Sequence, residues 1–158
     1  MSISRDARSL EDYRVGETYE FGEATISEKE MLEFARRYDP QHMHIDPLTA
    51  SESPFGRIIA SGWHTAAVMS RLYVEHYLPT HASLPSPAMD ELRWRIPVYP
   101  DDCLSLRVTV LHSRRSESKP DRGILVSEIE VLNQNREVTM TLKATNMMLT
   151  RDDPASRD

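Results

Sequence analysis

An α+β fold, a mostly antiparallel sheet around one central helix, is the class this sequence predicts. Three observations carry it. Helical signals are confined to the first half and end in one long helix from about Gly62 to Tyr77. A proline-rich connection, Pro79 to Pro87, then separates two kinds of periodicity. Beyond it the apolar residues alternate with period two, as in half-buried antiparallel strands: Leu104, Leu106, Val108 and Val110, then Val138, Met140, Leu142 and Ala144. Helices segregated from strands along the chain give α+β layering rather than a βαβ repeat.

Taken in order, residues 1–15 are polar and expected to be loose, as are residues 151–158. Gly16 opens a strand-like run, Thr18 to Thr25. Ser27-Glu28-Lys29-Glu30 is a capping box, in which the Ser oxygen and the Glu carboxylate satisfy each other's orphan amides. A helix follows from about Glu28 to Arg37, with Met31, Leu32, Phe34 and Ala35 on its apolar side, and Pro40 ends it. Asp46-Pro47 reads as the cap and first residue of a short helix over Leu48 to Ser51, broken by Pro54 and Gly56. The long helix carries an apolar stripe of Trp63, Ala66, Ala67, Ser70, Val74 and Tyr77, with a hydroxyl in its middle. Met89 to Ile96 and Ile124 to Leu132 complete the strands. Asn133-Gln134-Asn135 is a hairpin turn, and Ser113 to Arg122 a polar loop. No repeat or linker divides the chain, which leaves one domain over residues 16–150.

Composition narrows the function. Apolar residues make up 39% and charged residues 28%, the balance of an ordinary globular protein. A net charge of −6 and a pI near 5.5 argue against nucleic-acid and membrane-surface partners, which need a basic face. One cysteine, Cys103, cannot form an internal disulfide, and it is most simply a core residue. With a polar N-terminus and no apolar run of about 20 residues, the expectation is a cytoplasmic protein.

The chemistry concentrates between Tyr38 and Ser70. Asp39, His42, His44 and Asp46 fall within eight residues, in a stretch whose prolines prevent a continuous helix. Acid and base groups on irregular backbone beside a packed helix are a common active-site construction. Taken singly, Asp39 is a turn residue, Asp46 a helix cap and Ser70 a hydroxyl bonded back to its own helix. His64 packs in the interior or lines a pocket mouth. His42, His44 and Asp46 also alternate like metal ligands on a strand, but the flanking prolines spoil the strand and no distant ligand set accompanies them.

Asp39-Pro-Gln-His-Met-His44-Ile-Asp46, followed by Ala60-Ser-Gly62-Trp-His-Thr65, resembles the MaoC-like hydratase/dehydratase family, which has the hotdog fold. Ser70, eight residues after the glycine, also falls where that family has a serine, and Leu92 to Val98 with Pro100-Asp101-Asp102 resembles its strand and turn after the helix. The likeness spans about Gly16 to Thr150. One departure is Gln41-His42, where the family usually has Asn-Pro or Gln-Pro.

What the resemblance implies is reversible addition of water to a trans-2-enoyl-CoA, or the carrier-protein thioester, giving the (R)-3-hydroxyacyl product. Asp39 and His44 would hold the water, with His44 the activating base, and the Gly62 amide would support enolate charge. Ser70 would fix the Asp39 carboxylate. Trp63 and Tyr77 would limit an acyl tail that Ala66 and Ala67 leave room for. No metal or other cofactor is implied, and a homodimer or higher multiple, with joined sheets and sites between protomers, is expected. Two rivals remain open: a hotdog thioesterase, for which the helix offers only Glu75, and a non-catalytic acyl-thioester-binding module. The cationic loop Ser113 to Arg122 is a weak candidate for coenzyme A phosphates.

Overall fold

The protein is described here by a computed structural model covering residues 3–151. Five strands form one antiparallel sheet: β1 (Thr18–Thr25), β2 (Ala88–Trp94), β3 (Cys103–Arg115), β4 (Arg122–Leu132) and β5 (Val138–Leu149). Their spatial order is β1-β3-β4-β5-β2, which leaves β1 and β2 as edges. The helices are α1 (Glu28–Tyr38), α2 (His42–Ile45), α3 (Pro47–Glu52) and α4 (Gly62–His76). Among the described residues no helix is long and apolar enough to cross a membrane.

The alternating residues read from the sequence form the inner face of the sheet, except Val138, which is half-buried where its neighbour Thr139 is buried. Leu104, Leu106, Val108 and Val110 of β3, Leu125, Ile129 and Val131 of β4, and Met140, Leu142, Ala144 and Met148 of β5 are all buried. Helix α4 lies against this face and contributes Met69, Leu72 and Tyr73 to the same core. Gly22 lets β1 pass close over α4. Its φ of +86° makes a bulge in the pairing with β3, and an added Cβ would meet the Leu72 side chain at 3.1 Å.

The helix boundaries follow their caps. Ser27 and Glu30 form both halves of the capping box expected for α1. Asp46 accepts the Leu48 amide at 3.1 Å and so fixes the start of α3. Ser61 caps α4 by accepting the Trp63 amide at 3.2 Å.

Four expectations need correction. The buried face of α4 carries His64, Thr65, Met69, Leu72 and Tyr73, whereas Trp63 and Val74 are 58% and 51% exposed and Ser70 is exposed too. The helix is apolar on two sides, so Trp63, Ala67, Ser70 and Val74 of the expected stripe point away from the sheet, while Ala66 packs against the core and Tyr77 is fully buried. In place of the loose polar segment expected before Gly16, two 3-10 turns, Arg5–Ala7 and Leu10–Asp12, stand among the described residues and bring Leu10 and Tyr13 into the core. Ser113 to Arg115 continue strand β3, so the polar loop is shorter than expected. Cys103, at the strand's start, is only half-buried. The tail beyond Arg151 lies outside the described residues.

The end of α4 is tied down by the N-terminal segment. Arg5 donates to the Val74 carbonyl at 2.9 Å, and the Tyr13 hydroxyl donates to that of Tyr77. Beneath them the Tyr77 hydroxyl pairs with Ser127 at 2.8 Å and the Tyr73 hydroxyl donates to Asn146 at 2.6 Å. Burial raises both phenols, with the neighbouring tyrosines pushing the same way, so they stay protonated.

Candidate active site

Three short pieces of backbone meet at a cavity of about 370 Å³. Asp39 is the C-cap of α1, its amide still bonded to the Ala35 carbonyl at 2.8 Å while its backbone leaves helical geometry. Gln41 then caps a single helical turn, α2, that places His44 on the buried side. Four residues carry too little periodicity to reveal such a turn in sequence. The extended segment Ile59-Ala60-Ser61 closes the third side, held by the bond from the Ala60 amide to the Val98 carbonyl at 2.9 Å.

His44 is 6% exposed, and its two ring nitrogens have different work. Nδ1 lies 2.8 Å from the Ile59 carbonyl oxygen. A carbonyl only accepts, so Nδ1 carries the hydrogen. The neutral ring therefore presents a lone pair at Nε2, which faces Asp39 Oδ2 at 3.5 Å. Asp39 accepts from the Ser61 hydroxyl at Oδ2, 2.7 Å, and from the Gln41 side-chain amide at Oδ1, 2.8 Å. Burial pushes this carboxyl up, but the two hydrogen bonds and the nearby imidazole together hold it below the ordinary carboxylate value. In this tautomer the pair sets a carboxylate oxygen and the Nε2 lone pair toward the same space. Such an arrangement can accept both protons of one water, one at Nε2 and the other at the carboxylate.

The opposite wall is polar backbone and aromatic rings. Gly62 is the first residue of α4, and its amide has no acceptor among the described residues. The indole nitrogen of Trp94 donates to the Gly62 carbonyl at 2.9 Å, and the ring lies so close that any Cβ at Gly62 would overlap it. Trp63 packs edge-on to Trp94, ring centres 5.2 Å apart, at the cavity rim. Phe55, Ile59, Ile96 and Val98 supply apolar lining, and Arg95 adds a cation.

The match to known proteins now decides the family. A model of the MaoC-like domain matches residues 11–146. The chain belongs to the MaoC-like family. Its sheet wrapped on α4 is the hotdog fold of that family. A MaoC-like dehydratase from Rhodospirillum rubrum is 35% identical, with a TM-score of 0.85 over 93% of this chain and all of that one. The R-hydratase PhaJ1 of Pseudomonas aeruginosa shares the fold at 21% identity, TM-score 0.72, over 91% of this chain and 86% of its own. The protein YdeM of Bacillus subtilis (strain 168) is 31% identical over 79% of this chain and 87% of its own length.

Within this MaoC-like chain the structure brings Asp39, His44, Gly62 and Trp63 to one cavity, and leaves Ser70 outside it. The hydroxyl expected on Asp39 from Ser70 comes instead from Ser61, because Ser70 projects from the outer face of α4. Sequence reasoning passed over Ser61 and Gln41. A serine directly before a helix-opening glycine is an N-cap signal that points to the first of them. Among the described residues no three metal-ligating side chains converge, and Asp46 is taken up by the cap of α3. On the cationic loop, Arg115 pairs with Glu11 and Arg122 with Asp121.

His64 packs rather than lining the cavity. Its ring stacks on Phe34, centres 4.5 Å apart, and Nδ1 is buried with no hydrogen-bond partner among the described residues. Burial holds this imidazole below its ordinary value of 6.5, opposed by Glu30. A group depressed in the folded state takes up protons preferentially when the chain unfolds. Its penalty is absent above 6.5 and grows as pH falls below that value. On acidification from pH about 7.5 to about 5, the thermal midpoint of the wild type should fall further than that of His64→Phe, which keeps the stack and loses the titration. Equal falls in both proteins would remove His64 from the acid sensitivity.

Proposed function

We propose that the protein catalyses reversible hydration of a trans-2-enoyl thioester to the (R)-3-hydroxyacyl thioester, with coenzyme A or a carrier protein as the handle. The observation that carries this reading is the Asp39–His44 pair, its Nε2 and Oδ2 3.5 Å apart, facing a largely apolar cavity beside an unpartnered Gly62 amide. A water about 2.8 Å from both side chains would be held on one face of the double bond. His44 Nε2 takes a proton as the water oxygen attacks C3. Negative charge moves to the thioester oxygen, where the Gly62 N–H at the positive end of α4 stabilises it. The imidazolium, kept in register by its Nδ1–H bond to Ile59 and by the Asp39 carboxylate, returns a proton to C2. Asp39 stays ionised throughout, and dehydration is the reverse path.

A cytoplasmic homodimer is the proposed working form. The edge strand β2 and the exposed apolar residues Trp63, Val74, Met89, Trp94 and Ile96 favour a second copy joining the sheets. The thioesterase rival loses support, since Glu75 is exposed and ion-paired with Arg71 at 3.0 Å.

Incubation with crotonyl-CoA should bleach the absorbance of the conjugated thioester and yield (R)-3-hydroxybutyryl-CoA on chiral analysis. Release of free thiol instead would favour hydrolysis. Silence across short, long and branched enoyl thioesters would favour a binding module.

A further inference from the structure

We propose that Ser61 is a positioning residue that locks the Asp39 carboxylate and the amino end of α4 into one unit. The catalytic consequence rests on the hydratase reading; the geometry does not. Ser61 is fully buried, and its hydroxyl joins two pieces of chain 22 residues apart. The oxygen donates its proton to Asp39 Oδ2 at 2.7 Å and accepts the Trp63 amide at 3.2 Å. A hydroxyl has one proton and two lone pairs, so both bonds form together. The direction is forced: the amide only donates, which commits the proton to the carboxylate. The Ser61 carbonyl meanwhile accepts the His64 and Thr65 amides at 2.9 and 3.2 Å. One residue thus occupies the first turn of α4 with its backbone and its side chain.

The second holder of Asp39 cannot do this. Gln41 is exposed and lies two residues along the same loop, so its bond to Oδ1 fixes the carboxylate only to its own backbone. The Ser61 bond fixes it to the helix whose next residue, Gly62, carries the unpartnered amide. The two groups that must face the substrate from opposite walls then keep a constant separation, a condition to which rates are steeply sensitive. A hydrogen bond to an ionised acceptor is also among the stronger kinds. Around the carboxylate stand His44 from α2 and Arg95, which lines the same cavity; the first turn of α4 carries one titratable group, His64, stacked on Phe34, while Arg36 and Arg37 at the end of α1 are exposed.

The test follows the Asp39 side-chain carboxyl carbon by NMR as pH is lowered, in wild type and Ser61→Ala, alongside kinetics on crotonyl-CoA. The titration midpoint of Asp39 is expected to move up in the variant, and the acid limb of kcat/KM to move with it. The kcat value should fall roughly ten- to a hundredfold with KM within about threefold. Loss of a helix cap alone would lower the thermal midpoint and leave the carboxyl titration in place; an unmoved midpoint therefore overturns the proposal, whatever the activity. If Ser61→Ala does not fold, Ser61→Gly carries the same titration, since N-caps tolerate glycine. A wild type inert toward enoyl thioesters sinks the hydratase reading, and the carboxyl titration still decides the role of Ser61.

Discussion

His44→Ala is expected to reduce hydration of crotonyl-CoA by about a thousandfold, and Asp39→Asn by roughly a hundredfold or more. The geometry explains the order. His44 offers the lone pair that takes the proton, its tautomer set by the 2.8 Å bond from Nδ1 to Ile59. Without the ring, no other imidazole among the described residues lines the cavity to replace it. Asp39→Asn keeps the shape: its amide oxygen can still take the Ser61 proton, and the Gln41 side-chain amide can flip to accept from its NH2 group. What is lost is the negative charge that orients the water and steadies the imidazolium. Because the two act on one water, the double variant should be little worse than His44→Ala alone. His44→Ala also strips the buried Ile59 carbonyl of its donor, at about 1–3 kcal/mol, so circular dichroism and thermal midpoints accompany the kinetics. Retention of activity within about tenfold in a folded His44→Ala would end the assignment.

Gly123→Ala should be the most damaging small substitution for stability. Gly123 is the second residue of β4, opposite Arg115 of β3 and Met148 of β5. A Cβ there would overlap the Arg114 carbonyl oxygen and a Leu10 methyl group, and lie 2.8 Å from the Arg115 Cα. Two of these obstacles are backbone of the adjacent strand and cannot rotate away. Relief requires β3 and β4 to part at that end and Leu10 to leave the core, for a loss of about 2–4 kcal/mol. In a domain of this size that lowers the thermal midpoint by about 5–12 °C. Gly62→Ala makes a useful contrast: its obstacle is the half-exposed Trp94 ring, which can swing aside, so activity suffers more than stability. A Gly123→Ala protein within about 0.5 kcal/mol of wild type would show that the strands accommodate a methyl group.

How much of this could be read from sequence depended on whether the signal was local. The capping box at Ser27 and Glu30, the Asp46-Pro47 start of α3 and the alternation of β3 and of β5 from Met140 on all arise within a few residues, and appear as read. Asp39 and His44, which the structure brings 3.5 Å apart at one cavity, stood out because their chemistry and spacing sit in one short segment. The face of α4 was not. Trp63, Ala66, Ala67 and Val74 make as regular a stripe as His64, Thr65, Met69, Leu72 and Tyr73, and only the sheet's position chooses between them. Choosing the outer stripe made Ser70 look buried and sent the Asp39 hydrogen bond to the wrong serine. Ser61 reaches Asp39 across 22 residues of irregular chain, a contact no periodicity encodes. Leu10 and Tyr13 escaped notice because two apolar residues among many charged ones do not make a pattern.

The closing of α4 by the N-terminal segment bears on how the chain reaches this structure. The carbonyls of the last turn take their donors from Arg5 and Tyr13, 69 and 64 positions earlier in the chain. Nothing adjacent in sequence can substitute for them. The entropy of closing so long a loop must be met before these bonds form, and the sheet that frames the helix is itself assembled from distant strands. The helix can start locally at its serine cap, but its far end is completed only when the beginning of the chain returns to it. The expected result is slow folding for a domain of this length, with Arg5 to Tyr13 docking late.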